Sequence, residues 1–261
     1  WKQLEKRKGI VYKQAVMPVP ANDKEEIIDS ILGQVTKNTK VIAIPHIISV
    51  YGTVMPVKEI CTFARERGIF TVIDGAQSIG QIDVDLKDLN CDAYYSSLHK
   101  WFLSPPGSGL LYLDKSISED IWPTLSSYNW DNKDDKGFSL QQSGTGNPSL
   151  RVGLEASIDF FNMIGKERWL GRVKELGKYL RDGLKELPNV EIVSSHNEEL
   201  CAGLTTYKVK GLTGPALQKT LWDRERLQPR SVGKDLMRHS VHIYNQKSEI
   251  DKTFDIINSL T

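Results

Sequence analysis

Residues 69–77 read Ile-Phe-Thr-Val-Ile-Asp-Gly-Ala-Gln, an apolar run that stops at a carboxylate. A second apolar run occupies residues 41–44, and between the two runs Pro56 and Gly68 bracket a stretch with apolar residues at helical spacing. A buried strand, a crossover helix and another buried strand predict a βαβ unit in a mostly parallel sheet. Such sheets bind ligands at the carboxyl ends of their strands, which places Asp74 well for chemistry. Taken alone, Asp74 is more easily explained as a loop aspartate that caps a turn.

The alternation of strands and helices changes character further along the chain. Residues 114–147 are polar, aromatic and glycine-containing, which predicts a long surface loop of the kind that often serves function. Helices are predicted from about 150 to 163 and, after Gly165, over a longer segment. The remainder predicts strands over 190–193, 203–209, 227–231 and 238–244, and helices over 214–222 and 246–260. We therefore expect an α/β domain over residues 1–150 and a smaller C-terminal α+β domain over residues 151–261.

The composition excludes several classes of function. The chain has 261 residues with 34 Lys and Arg against 33 Asp and Glu, so no broad charge favours nucleic acid or an anionic membrane. Charged residues interrupt every apolar run well before the roughly 18 residues that a membrane span needs. The three cysteines form no C-x-x-C pair, which argues against a disulfide framework and a structural zinc site. We expect a soluble, cytoplasmic protein with no nucleic-acid, membrane or metal partner.

A second stretch of sequence supports a functional role for Asp74. Residues 94–101 read Tyr-Tyr-Ser-Ser-Leu-His-Lys-Trp, and residues 105–112 read Pro-Pro-Gly-Ser-Gly-Leu-Leu-Tyr. The order D-G-A-Q, S-x-H-K and P-x-G-x-G-x-L-Y resembles the class V aminotransferase family of pyridoxal-phosphate enzymes. The resemblance implies the fold type I architecture, in which residues 1–150 are the remainder of the cofactor-binding large domain. The chemistry explains the residue types, because a lysine amine forms an imine with the cofactor aldehyde and a carboxylate keeps the pyridinium nitrogen protonated.

The resemblance assigns roles residue by residue. It implies that Lys100 is the Schiff-base lysine and also carries protons once the substrate has displaced it. Asp74 would pair with the pyridinium nitrogen, and Gln77 would hydrogen-bond the ring hydroxyl. Ser97 and His99 would hold the phosphate, as hydroxyl and imidazole donors can.

Two downstream segments are also similar to the family. Residues 144–148, Gly-Thr-Gly-Asn-Pro, match a segment whose threonine reaches the cofactor phosphate of the neighbouring subunit, so Thr145 implies a homodimer with shared sites. A simple turn explains the same residues equally well. Residues 238–245 resemble the signature R-x-S-x-x-x-Y-N, which implies that Arg238 grips the substrate α-carboxylate through a bidentate fork.

The histidines near these segments are expected to be structural. On a strand, Arg238, Ser240, His242 and Tyr244 share one face, whereas His239 and His242 point to opposite faces and cannot share a metal. His46 matches a histidine at a strand end in the family, and a lone histidine there is more often packed and hydrogen-bonded than catalytic.

Residue 49 bears on the choice of branch within the family. The resemblance places Ser49 among the cofactor-binding residues, at a position where desulfurases usually carry Asn. Serine at this position, together with His-Lys-Trp at residues 99–101, is closer to the isopenicillin N epimerase and carbon-sulfur lyase branches.

The sequence departs from the family pattern in two places. Cysteine desulfurases carry a nucleophilic cysteine shortly before the substrate-binding arginine, and residues 228–235 contain none. Cys61, Cys91 and Cys201 are expected to be buried fillers. The family's upstream part also has no counterpart before Trp1. This leaves open that the polypeptide was cleaved, that the structure begins late, or that the rest is a separate chain.

These observations favour a pyridoxal-phosphate enzyme that acts on an α-amino acid through an external aldimine, as an epimerase or carbon-sulfur lyase. Transamination is the second hypothesis, and cysteine desulfuration is the least favoured. A truncated scaffold that binds or dimerises without catalysis is the alternative from another class. A nicotinamide-binding fold is weaker, because no G-x-G-x-x-G follows a predicted strand.

Overall fold

The computed structural model describes residues 1–260, and within this range the strands form two separate four-stranded sheets. The strands are β1 (Val41–Pro45), β2 (Phe70–Asp74), β3 (Ala93–Ser96), β4 (Leu110–Leu113), β5 (Val190–Ile192), β6 (Leu204–Val209), β7 (Arg230–Val232) and β8 (Leu236–Ser240). The helices are α1 (Lys2–Lys8), α2 (Lys24–Leu32), α3 (Val57–Arg65), α4 (Leu86–Leu89), α5 (Lys115–Ser118), α6 (Lys136–Gln141), α7 (Ser149–Ile164), α8 (Lys166–Lys185), α9 (Gly214–Glu225) and α10 (Lys247–Asn258).

The first sheet has the order β1-β2-β3-β4, and only β4 runs antiparallel to its neighbour. The predicted βαβ unit is confirmed: α3 crosses from β1 to the parallel strand β2 and buries its apolar face, which includes Ile60 and Ala64. Pro45 is in register with Asp74, and Asp74 is in register with Tyr95. The carboxyl ends of the three parallel strands therefore lie at one edge of the sheet.

The second sheet is antiparallel throughout, in the order β5-β6-β8-β7. It packs against α8 and α9, and α10 packs against these two helices. Together they enclose a separate core that includes buried residues such as Leu180, Tyr207 and Met237. The two sheets thus have separate cores, and the expected domain boundary near residue 150 stays a prediction.

A third apolar cluster joins the two sheets. It contains Ile47 and Trp101 from the first sheet's loops, Trp169 and Val173 from α8, and Leu204 from β6. Trp169 is fully buried, and its indole Nε1 donates a hydrogen bond of 2.8 Å to the carbonyl of Gly80. The close approach explains the glycine, because a Cβ there would lie 2.2 Å from the carbonyl oxygen of Trp101.

The last two predicted strands are shorter or shifted. The segment expected as a strand over 227–231 begins pairing only at Arg230, and the segment expected over 238–244 pairs over Leu236–Ser240. The chain leaves the sheet because it turns: the His242 backbone N–H donates to Oδ1 of Asn245, and the Asn245 N–H donates back to the His242 carbonyl, both at 2.9 Å. The turn therefore uses the backbone groups that a longer strand would pair.

Residues 1–260 contain neither a candidate membrane-spanning helix nor a candidate metal-binding cluster. No helix in this range is long and apolar enough to cross a bilayer. The same range holds no group of three His, Cys, Asp or Glu side chains that could bind a metal ion.

We predict that the fold is sensitive to mild acid because of His46 and His239. Each imidazole is buried against a tyrosine hydroxyl at 3.0 Å, and burial lowers the pKa of each to about 4. Because an unfolded histidine has a pKa near 6.5, this stability is complete above about pH 6.5 and is lost as the pH falls towards 4. Each histidine should reduce the free energy of unfolding by up to about 1.4 kcal/mol per pH unit.

Urea unfolding at several pH values between about 7 and 4.5 measures this slope. The variant His239→Phe removes one titrating group, so its slope should be shallower than that of the wild type. Equal slopes for the two proteins would contradict the assignment.

Candidate active site

A cavity of about 540 Å³ opens between the two sheets, at the carboxyl ends of the parallel strands. The loops of the first sheet contribute Ser49, Asp74, Gln77, Lys100 and Trp101 to its lining. The second sheet and the turn that follows it contribute Arg230, Arg238, Ser240, His242 and Tyr244.

Asp74 is the last residue of β2, and its half-buried side chain lines the cavity. Its Oδ1 accepts a hydrogen bond of 2.9 Å from the backbone N–H of Ala76, which fixes the carboxylate in the tight turn after the strand. Within residues 1–260, the ion pairs do not include Asp74. The carboxylate is therefore oriented by the protein while its charge stays available to a cationic ligand.

The turn after β2 has room only for glycine at position 75. A Cβ there would lie 2.1 Å from the ring of Tyr94, which is fully buried and hydrogen-bonded to His46. Ser96 also holds this turn, since its hydroxyl donates to the Gly75 carbonyl at 2.7 Å. Packing against Tyr94 thus explains why the residue after Asp74 in the D-G-A-Q motif is glycine.

Lys100 lies in the turn that follows β3. Its backbone N–H donates to the Ser97 carbonyl at 3.3 Å, and its side chain is exposed to the cavity. The ion pairs of the described chain do not include Lys100. Lys100 and Asp74 therefore line the same cavity, and neither is neutralised by a protein partner.

Arg238 on β8 faces the cavity from the second sheet. Its guanidinium donates a hydrogen bond of 2.6 Å to the carbonyl of Ser49, while its buried Nε has no partner within the described residues. Arg230 on β7 lies directly opposite it in register and also lines the cavity. Burial lowers the pKa of Arg238, and the positive charge of Arg230 lowers it further.

His242 lines the cavity, although it is almost fully buried, and the structural role expected for it stays a prediction. Its ring stacks between two aromatic neighbours, with ring centroids 5.3 Å from Trp101 and 4.9 Å from Tyr244. His239 lies on the other side, buried against Tyr207, which agrees with the predicted opposite faces. His46 is buried and hydrogen-bonded to Tyr94, also as predicted.

Three of the predicted site residues do not line the cavity. Ser97 is half-buried in the turn before Lys100. His99 is exposed, and its Nδ1 lies 3.4 Å from the carbonyl of Ser108. Thr145 is exposed in the segment before α7.

Several residues of the cavity wall have no role in the predictions made from the sequence. Alternation along 238–244 already put Ser240 and Tyr244 on the face of Arg238, although it gave them no role. Arg230 carried no local signal, and the pattern at residues 99–101 did not place Trp101 in the wall. The place of these two residues depends on the pairing of β7 with β8 and on the packing of the two sheets.

The charge of the cavity is predominantly positive. Lys100, Arg230 and Arg238 face it, and among its described lining residues Asp74 is the one acidic side chain. A concave site lined by one sign of charge concentrates ligands of the opposite sign. The cavity thus favours small anionic ligands, with one place for a cationic group at Asp74.

Sequence comparison places the chain among known proteins. The sequence model of the Aminotransferase class-V family matches residues 1–253. An isopenicillin N epimerase from Streptomyces clavuligerus is 29% identical over 279 residues, which cover 100% of this chain and 70% of the relative. A probable cysteine desulfurase from Halalkalibacterium halodurans is 29% identical over 276 residues, which cover 96% of this chain and 64% of the relative.

Solved structures share the fold. The cystine C-S lyase C-DES, in complex with its product cysteine persulfide, superposes with a TM-score of 0.87 at 24% identity and covers 98% of this chain and 70% of that protein. The apo cysteine desulfurase from Thermococcus onnurineus NA1 gives a TM-score of 0.83 at 24% identity, covering 100% of this chain and 68% of that protein.

We predict that Gly75→Ala destabilises the protein by about 1–3 kcal/mol, because the added methyl group overpacks the site against the Tyr94 ring. Urea unfolding of the variant measures the loss. Gly171→Ala is the matched control, since this glycine lies within α8 and its Cβ would meet nothing within 4 Å. The control should be neutral or stabilised by up to about 1 kcal/mol. Equal stability of Gly75→Ala and the wild type would contradict this account of the turn.

Proposed function

The chain belongs to the class V aminotransferase family, and on this premise we propose that it is a pyridoxal-phosphate-dependent enzyme that acts on an α-amino acid. The observation that carries the proposal is the convergence of Lys100, Asp74 and Arg238 on one cavity. These residues come from two sheets and from distant parts of the sequence. An amine, a carboxylate and a guanidinium are the groups that an amino-acid substrate and this cofactor require.

The residues of the cavity fit the cofactor by the chemistry of their side chains. Lys100 offers a primary amine without an ion-pair partner in the described chain, and Asp74 offers a carboxylate held by the turn after β2. Gln77 lines the cavity beside them with its side-chain amide. Together they match an aldehyde, a ring nitrogen and a ring hydroxyl.

When bound, pyridoxal phosphate supplies an aldehyde and an electron-accepting ring that stabilises negative charge at the substrate α-carbon. Asp74 would keep a proton on the ring nitrogen, because a carboxylate beside a base favours its charged form. The Lys100 amine would carry the proton to and from the substrate α-carbon.

Arg238 would bind the α-carboxylate of the substrate. Its Nε is buried without a partner in residues 1–260, and a guanidinium can grip a carboxylate through two parallel hydrogen bonds. The bond from Arg238 to the Ser49 carbonyl holds the guanidinium across the gap between the sheets. The substrate would therefore be held from the second sheet while the reacting atoms face the first.

The roles of the remaining site residues are proposed from the resemblance of their motifs to the family. Ser97 and His99 precede Lys100 in the same turn and would hold the phosphate, with Ser49 also contacting the cofactor. Thr145 would reach the phosphate of a second subunit in a homodimer. The exposed side chains of Val152 and Met163 on α7, at 66% and 79%, support a covering partner next to this segment.

A two-domain division fits this arrangement. We propose that residues 1–150 form the cofactor-binding domain and residues 151–261 the smaller domain. The separate apolar cores of the two sheets, joined by the cluster around Trp169, support it.

Epimerisation or carbon-sulfur lysis is the reaction we favour, with transamination next. Desulfuration through a persulfide needs a reactive thiolate, and the described thiols are poorly suited: all three are buried, and burial raises the pKa of Cys61 to about 12 and of Cys91 to about 11. None of the three lines the cavity.

Incubation with a panel of amino acids separates the reactions by their products: inverted configuration, pyruvate with released thiol, or a keto acid. A non-catalytic scaffold would yield none of these.

We predict that the purified protein binds pyridoxal phosphate with a visible absorbance band that borohydride abolishes, and that Lys100→Ala removes this band because it removes the reacting amine. Lys174→Ala, on the exposed side of α8, is the control and should keep the band. A wild-type protein that stays colourless with added cofactor would support the scaffold alternative. A Lys100→Ala protein with an unchanged band would remove Lys100 from the site.

We also predict that Arg238→Ala weakens amino-acid binding roughly 10- to 100-fold, the cost of a hydrogen-bonded charge, while sparing the cofactor band. The shift of the cofactor spectrum on titration with the amino acid measures this affinity. Arg168→Ala, an exposed arginine at the start of α8, should bind the amino acid like the wild type. Unchanged affinity in Arg238→Ala would count against its role.

A further inference from the structure

Trp101 directly follows Lys100 and makes contacts to both sheets. Its ring is almost fully buried in the cluster that joins them. Its indole Nε1 donates a hydrogen bond of 2.8 Å to Oε1 of Gln77, and its carbonyl lies 3.0 Å from Nε2 of His242. The proposed function assigns no role to Trp101.

The hydrogen bond between Trp101 and Gln77 can have only one donor, the indole N–H. An indole N–H can donate but cannot accept, so the atom of Gln77 that faces it must be the carbonyl oxygen Oε1. The amide nitrogen Nε2 is then fixed on the other branch of the same planar group. Among the described residues Nε2 has no hydrogen-bond partner, and Gln77 lines the cavity. Gln77 therefore presents a donor there, and flipping its amide would break the bond to Trp101.

The backbone of Gln77 is held as well. Its carbonyl accepts a hydrogen bond from Nε2 of Gln81, a buried residue. Oε1 of Gln81 in turn accepts a bond of 2.8 Å from the backbone N–H of Gly203, just before β6 of the second sheet. Because the backbone carbonyl and the side-chain Oε1 of Gln77 both accept hydrogen bonds, neither the turn nor the side chain is free to rotate.

Trp101 is fixed by His242 on its other side. The backbone N–H of Ile243 donates to Nδ1 of His242 at 2.8 Å, so the proton of the neutral ring sits on Nε2 and is donated to the Trp101 carbonyl. Burial lowers the pKa of His242, which keeps the ring neutral. The two rings are also stacked at an interplanar angle of 16°. His242 thus holds the indole in the orientation that its bond to Gln77 requires.

We propose that Trp101 is a positioning residue that makes Gln77 a dedicated hydrogen-bond donor, so that the cavity selects a ligand with an acceptor oxygen at this place. This inference rests on the proposed function, in which that oxygen is the ionised ring hydroxyl of pyridoxal phosphate. A glutamine free to flip would accept as readily as donate, and would not distinguish an ionised hydroxyl from a protonated one. Trp101 removes that freedom.

Equilibrium dialysis with two probes tests the proposal: pyridoxal 5′-phosphate and its 3-deoxy analogue, which lacks the ring hydroxyl. The wild type should prefer the hydroxyl-bearing cofactor by roughly 5- to 10-fold, the effect of one good hydrogen bond. Trp101→Phe keeps an aromatic ring against His242 and loses the N–H, so this preference should shrink by roughly threefold or more. Trp222→Phe, on α9 and outside the cavity lining, should behave as the wild type.

A spectroscopic readout separates positioning from general destabilisation. A fixed donor favours the ionised hydroxyl. Freeing the Gln77 amide to flip in Trp101→Phe should therefore raise the pH at which the absorbance of the bound cofactor titrates. Gln77→Glu gives a second variant in which Trp101 still donates to one oxygen while the other can only accept. Its preference should reverse in favour of the 3-deoxy analogue.

The outcomes distinguish this proposal from the proposed function. Binding of both probes with equal discrimination in the wild type, Trp101→Phe and Gln77→Glu would overturn the role of Trp101 and leave the proposed function standing. Failure of the wild type to bind pyridoxal phosphate would overturn both. In the cofactor-free protein, the Trp101 indole N–H should resist hydrogen exchange in the wild type and exchange faster in Gln77→Ala. Equal exchange in the two proteins would also overturn the positioning role.

Discussion

Two tryptophans belong to the apolar cluster that joins the two sheets, and the cavity depends on this contact. Trp169 is fully buried and donates to the Gly80 carbonyl, while Trp101 stacks on His242 of the segment that follows β8. Moving the second sheet would expose both indole rings and leave the Trp169 N–H without a partner, which is costly. Lys100 and Arg238 belong to different sheets, so the distance between them is set by this contact.

Electrostatics explains why the cavity is built for anions. Arg230 and Arg238 face each other across paired strands, where like charges disfavour folding, and no carboxylate of the described chain forms an ion pair with either. An anionic ligand offsets this repulsion. Asp74 supplies the single negative charge on the opposite wall, so a zwitterionic ligand has one orientation in which its two charges pair with both walls.

Much of the fold was predictable because its signals are local. The apolar runs at 41–44 and 69–73 gave the parallel strands, and the likeness to solved structures with a TM-score of 0.87 confirms the fold type I architecture that the sequence motifs implied. The strand expected over 238–244 was too long, since alternation of side chains continues into the turn made by His242 and Asn245. The same alternation correctly set His239 and His242 on opposite sides, but it could not say that one side was a cavity.

The sequence by itself determined which side chains stand at the ends of the parallel strands, because strand ends and turns are encoded by neighbouring residues. The apolar run placed Asp74 at a strand end, and the resemblance of the motifs to a known family identified Gln77 and Lys100. Only the tertiary structure decided what faces them: Arg230, and the links from Trp101 to Gln77 and His242. Periodicity reports which face of a strand a residue occupies, whereas the partner across a packed interface is chosen by the fit of distant segments. That fit leaves no pattern within either segment.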